Sequence, residues 1–144
     1  MPRPREPPVF FIDHCLGTEA VAQLLRSEGA DVRVMIDEGF PQDAEDVSWL
    51  PVVASKGWAI LTKDKRIRRR PLEHQAIVAS GAGAFILAAG GMGGETIATA
   101  FARALPRMIA IWQSRERPFI ATVTAQGKVT ILEGGQRRGA VRRP

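Results

Sequence analysis

The sequence predicts an α/β domain of three layers, with helices on both faces of a mainly parallel, Rossmann-like central sheet and a β-hairpin at the end of the chain. Three observations predict it. Short apolar runs alternate with helix-period segments from residue 9 to about residue 114; the runs are apolar at nearly every position rather than every second one; and the last of them turns back on itself around Gly127. A strand buried on both faces has no solvent side on which to alternate. Continuous apolar strands separated by helices therefore imply parallel neighbours covered above and below.

The elements follow in order. VFFID (9–13) is an apolar run that ends on Asp13, and GTEAVAQLLRSEG (17–29) sets Val21, Leu24, Leu25 and Glu28 at helical spacing with Gly29 as a stop. DVRVMI (31–36) has strand composition. After the polar stretch 37–45, Asp46 is placed as the N-cap of a helix running through Trp49, Leu50, Val53 and Ala54 to Gly57. Pro51 falls too late for a first turn, so a late start or a kink is expected there. WAILT (58–62) is the third strand, PLEHQAIVAS (71–80) a helix opened by Pro71, and AFILAA (84–89) the fourth strand. GGMGGE (90–95) leads into the longest helical pattern, Thr96 to about Ser114, with a bend expected at Pro106. PFIATVTAQGKVTIL (118–132) supplies the two hairpin strands.

A chain of 144 residues suits one domain with its own core. That domain is assigned to 9–133, between an N-terminal tail (1–8) and a basic C-terminal tail (134–144), both expected to be disordered. One cysteine, Cys15, permits no internal disulfide, and no apolar run reaches the length of a membrane span. A soluble cytoplasmic protein is the expectation. The net charge of +5 lies in the tails: the first carries +1 and the second +4, while the 14 basic and 14 acidic residues between them cancel. Within this neutral body, Asp37, Glu38, Asp43, Glu45 and Asp46 form an acidic stretch, and Lys63, Lys65, Arg66, Arg68, Arg69 and Arg70 a basic one. Segregation of that kind marks a site.

Parallel strands joined by right-handed crossovers send every carboxyl end, and every strand-to-helix loop, to one edge of the sheet. Asp13 and Asp64 follow such ends, and Asp46 opens a helix on that edge. Any one of them is a plausible cap. Together they form a crevice of acids, and if strands one and three are neighbours their ends lie about 4.8 Å apart. Like charges so close call for a cation, and Mg²⁺ or Mn²⁺ is the hard ion that a few carboxylates and a phosphate oxygen suit. Such an ion activates water against a phosphodiester. The basic run 63–70 would hold the neighbouring phosphates of a nucleic acid. His14 reads as a surface or capping residue, and GGMGGE lacks the Lys-Ser/Thr ending of a phosphate-binding P-loop. Trp49, Trp58 and Trp112 read as core or dimer residues.

VFFID, an Glu45–Asp46 pair before a helix, and ILTKD at the end of a later strand together resemble the PIN domain superfamily, in its compact branch found among VapC-type toxins of bacterial toxin–antitoxin pairs. The resemblance implies a Mg²⁺- or Mn²⁺-dependent ribonuclease, commonly dimeric and often restrained by an antitoxin. It also implies that Asp13, Asp46 and Asp64 are the metal-binding and catalytic acids. A fuller member has a fourth acid and an extra helical pair before the central one; here that region is abbreviated, and Glu45, Asp43 and Glu95 are the candidates for the fourth acid. Lys63, Lys65, Arg66, Arg68, Arg69 and Arg70 are the candidate RNA-binding residues. Two other readings fit the same plan: a PIN-like module that binds RNA or a partner protein without cleaving, and a receiver-like phosphoacceptor domain. The second normally shows paired acids after the first strand, where this chain has Asp13 followed by His14.

Overall fold

The computed structural model describes residues 7–13, 16, 19–39, 46–63, 70–88 and 93–137, with backbone alone at 36, 46–47 and 70–73. The elements are β1 (Val9–Ile12), α1 (Glu19–Ser27), β2 (Asp31–Val34), α2 (Asp46–Ser55), β3 (Ala59–Lys63), α3 (Arg70–Ser80), β4 (Gly83–Leu87), α4 (Gly94–Ser114), β5 (Phe119–Val123) and β6 (Val129–Gly134). They build one six-stranded sheet of order β2-β1-β3-β4-β5-β6. The first five strands in that order are parallel, and β6 returns antiparallel to β5. This is the three-layer α/β/α arrangement with a closing hairpin that the sequence predicts.

Each strand distributes its side chains between two cores, as the two-residue strand period requires. Phe10 and Ile12 of β1, with Ala59 and Leu61 of β3, Phe85 and Leu87 of β4, pack against Val21 and Leu25 of α1 and Phe101, Leu105 and Met108 of α4. Phe11, Ile60, Ala84, Ile86 and Ile120 face the other way, onto Trp49, Leu50 and Val53 of α2 and Ile77 of α3. α1 and α4 therefore cover one face, α2 and α3 the other. β4 is buried at all of its positions, which explains why its sequence does not alternate.

Several boundaries differ from the sequence reading. The second strand stops at Val34, and Met35–Glu38 form a 3₁₀ turn ended by Gly39 at a φ of +85°. Val34 pairs with Ile12, the last residue of β1, so a longer strand would have no partner to bond. Asp46 is the first helical residue of α2, not its cap, and the helix holds Pro51 inside it rather than starting late. Pro106 likewise lies within α4, exposed and without interrupting it. At the C-terminus, β6 reaches Gly134, which pairs with Phe119, and Arg137 still bridges Arg115. Ordered chain thus extends beyond the boundary placed at residue 133. The glycine pair makes this possible: Gly134 and Gly135 have φ of +66° and +70°, and a Cβ on Gly134 would clash with the Pro118 carbonyl oxygen. Residues 1–6 and 138–144 lie outside the described residues, as does the expectation of disorder for them.

Candidate active site

β1 and β3 are neighbours, with Phe10, Phe11 and Ile12 registered on Ala59, Ile60 and Leu61. The next strand to the left of β1 is β2 and the next to the right of β3 is β4, so successive connections run to opposite sides of the β1–β3 junction. That is the switch point of the sheet, where a crevice opens beyond the carboxyl ends. Asp13 lies at it. Its backbone N–H donates to the Leu61 carbonyl at 2.9 Å, which extends the ladder one step past β1 and fixes the direction of its side chain. By alternation Asp13 shares the side of Phe11, and Thr62 the side of Ile60, so both point toward the α2–α3 layer. There the Thr62 hydroxyl donates to Asp13 Oδ2 at 2.7 Å.

Asp13 is 5% exposed and Thr62 8%; they are the only buried polar or charged side chains among the described residues. A carboxylate is taken from water only at a cost, and a directed hydroxyl repays part of it while holding one oxygen in place. In the sequence Thr62 enters only as the threonine of the ILTKD motif, with no role of its own. Its signal was available: an isolated hydroxyl at the end of an apolar strand, one pairing step from the acid of the neighbouring strand.

The other sequence-predicted acids are distributed as follows. Asp46 opens α2, the helix whose layer Asp13 faces. Asp64, Asp43 and Glu45 lie outside the described residues. Glu95 is exposed in the first turn of α4, in the opposite layer, where it lines a cavity of about 470 Å³ with Ala20, Gln23, Leu24, Ala98 and Thr99. Among the described residues no three His, Cys, Asp or Glu side chains form a metal-ligating group. Of the predicted basic residues, Lys63 ends β3 and is half-buried, and Arg70 opens α3. Lys65, Arg66, Arg68 and Arg69 lie outside the described residues.

In open α/β sheets the crevice at the carboxyl ends of a switch point is where ligands bind, and a buried acid stands at that position here. A family model described as a PIN-like domain matches residues 8–89, from the start of β1 to just past β4, and the chain belongs to that family. No curated protein and no solved structure matches it. Membership points to a nuclease-type or RNA-related function. α4 and the β5–β6 hairpin lie beyond the matched segment and complete both the sheet and the α1–α4 layer. Among the described residues no helix is long and apolar enough to cross a membrane.

Proposed function

We propose that the protein is a Mg²⁺- or Mn²⁺-dependent endoribonuclease, of the kind that serves as the toxin of a VapBC-type toxin–antitoxin pair. The observation that carries this reading is the Thr62–Asp13 hydrogen bond at the switch point. It supports the reading because a buried carboxylate oriented at a ligand-binding edge is the hard oxygen donor that such an ion requires. Asp13, Asp46 and Asp64 would hold the ion, with Glu45, Asp43 or Glu95 as the fourth acid. The ion would supply charge stabilisation to the phosphate and to the attacking and leaving oxygens. Thr62 keeps Asp13 in one orientation, which lowers the reorganisation needed when substrate arrives. The basic run Lys63, Lys65, Arg66, Arg68, Arg69 and Arg70 follows β3 directly and would hold phosphates flanking the scissile bond. A homodimer and an antitoxin that covers the carboxyl edge complete the proposal.

The test is cleavage of a labelled single-stranded RNA with added Mn²⁺, compared between the native chain and Asp13→Asn. Cleavage that disappears in the variant supports the nuclease. RNA binding without cleavage by the native chain would instead indicate a non-catalytic PIN-like module.

A further inference from the structure

The amino-terminal edge of the sheet, opposite Asp13, carries a second cluster of chemistry-bearing groups. β2 shows one buried and one open face: Val32 and Val34 enter the α1–α4 core, while Asp31 and Arg33 are exposed on the other side, which α2 leaves uncovered. The Trp58 ring borders that ledge, stacked on Phe11 with centroids 6.2 Å apart. The Arg33 guanidinium lies 5.9 Å from the centre of the Trp58 ring and the Lys56 ammonium 5.0 Å from it. Across Gly57, Arg117 stacks its guanidinium on Trp112 at 4.6 Å, and its Nη1 sits 3.5 Å from where a Gly57 Cβ would be. A run of cations interleaved with indoles thus spans this edge.

Two acids are present as well, Asp31 at 3.5 Å from Arg33 Nε and Glu116 beside Arg117 in a cavity of about 370 Å³. The C-terminal ends of α2, α3 and α4 also meet here, and helix C-termini favour cations. That accounts for the charge of Lys56 but not for a tryptophan ring with two cations close to it. Trp49 and Trp112 are buried, whereas Trp58 is half-exposed. Finally, the antiparallel course of β6 brings Gly134 against Phe119, the first residue of β5, so the chain leaves the described domain at Arg137 on this same edge. The sequence beyond adds Arg138, Arg142 and Arg143.

We infer that this edge is a second, non-catalytic binding surface for single-stranded RNA, with phosphates held by Arg33, Lys56 and Arg117 and a base stacked on Trp58. The inference rests on RNA being the substrate, and it deepens that reading by adding a tether remote from the cut. Three cations against two acids, joined by the arginine-rich tail that starts from the same edge, favour a polyanion, and an indole bordered by cations favours one with exposed bases. A five-residue strand separates the two edges by about 16 Å, so one RNA reaches both only if it is long enough to pass round the domain. A long RNA gains from the tether; a short one occupies the carboxyl edge alone.

The experiment uses the full chain carrying Asp13→Asn, so that binding is read without cleavage, and a uridine-rich RNA of about twenty nucleotides against one of about five. Tryptophan fluorescence should be quenched by the long RNA and not in Trp58→Phe, which keeps a ring against Phe11. Arg33→Ala/Lys56→Ala, both at exposed positions, should flatten the log–log salt dependence of long-RNA affinity by roughly 1.4, twice the slope of one phosphate contact. Trp58→Leu should weaken long-RNA binding between about fivefold and a hundredfold and leave short-RNA binding unchanged. Full salt dependence in the double variant together with quenching that does not depend on Trp58 would overturn the tether and leave the cleavage assay to judge the nuclease reading separately. A dimer in sedimentation that the double variant dissociates would assign the edge to a second copy of the chain, and equally overturn it.

Discussion

Thr62 and Asp13 stand 49 residues apart in the chain and are joined by a buried 2.7 Å hydrogen bond at the point where β3 lies against β1. The bond exists because the register is fixed twice, once by the Phe11–Ile60 pairing within the ladder and once by the Asp13 N–H on the Leu61 carbonyl beyond it. A slip by one residue of β3 against β1 would turn one of the two side chains to the other face and break the contact. The acid of the candidate site is thus positioned by the sheet itself.

Removing the Thr62 hydroxyl without changing the shape of the side chain isolates that contact. Thr62→Val should lower stability by about 1–3 kcal/mol, because it leaves a buried carboxylate oxygen short of a donor. Thermal unfolding should register a fall of about 2–4 °C for each kcal/mol, with Thr62→Ser close to the native value. Equal melting temperatures for the native chain and Thr62→Val would show that the bond contributes nothing to the fold.

Metal affinity tests the shared acid site. Calorimetric titration with Mn²⁺ should give binding that falls sharply in Asp13→Asn and in Asp64→Asn, since each removes one anionic oxygen donor from a small set. Without metal, Asp64→Asn should melt at the native temperature or above it, as the loss of one like charge relieves repulsion. Heat of binding that is the same in all three proteins would eliminate the site.

The fold was legible in the sequence where burial is complete and obscure where chain geometry decides. β4 reads as a buried parallel strand because no position of it meets water, and Gly127 reads as a hairpin turn because its φ of +85° suits no other residue well. The end of β2 was not legible: Met35 has strand character, and only the length of the neighbouring β1 stops the ladder at Val34. Nor was the extent of the C-terminus, since Gly134 to Arg137 carry no apolar pattern and are held through backbone pairing with Phe119 and Arg115. For the site, Asp13 could be found from its place after an apolar run. The role of Thr62 depended on a register between strands that no local pattern encodes.

Gly83 offers a test of packing rather than of site chemistry. A Cβ built there would lie 2.7 Å from Phe119 Cε2 and 2.9 Å from Trp112 Cζ3, inside the edge-to-face group that Phe119 makes with Phe85 and Trp112. Rings locked against one another on a buried strand have little room to yield. Gly83→Ala should therefore destabilise the domain by about 1–3 kcal/mol in urea unfolding. A midpoint equal to the native one would mean that the aromatic group repacks at no cost.

The two basic regions outside the sheet can be separated by salt. Lys65, Arg66, Arg68, Arg69 and Arg70 come after β3 in the sequence, and β3 ends at the carboxyl edge, while the described chain ends at Arg137 on the opposite edge. If the first group holds the phosphates beside the cut, Arg68→Ala/Arg69→Ala/Arg70→Ala should flatten the log–log salt dependence of single-stranded RNA affinity by roughly 0.7 for each lost contact. The loss should be similar for every RNA sequence, because phosphate contacts position a strand without reading it. The control is a truncation after Arg137. A cut after Glu133 would also remove Gly134, the partner of Phe119, and the Arg137 bridge to Arg115, and so confound tail charge with the integrity of β6. The truncated chain should keep the affinity of a short RNA confined to the carboxyl edge, and the triple variant should lose it. The reverse pattern, with short-RNA affinity lost on truncation and kept in the triple variant, would assign phosphate binding to the tail and detach the basic run from the acids it follows.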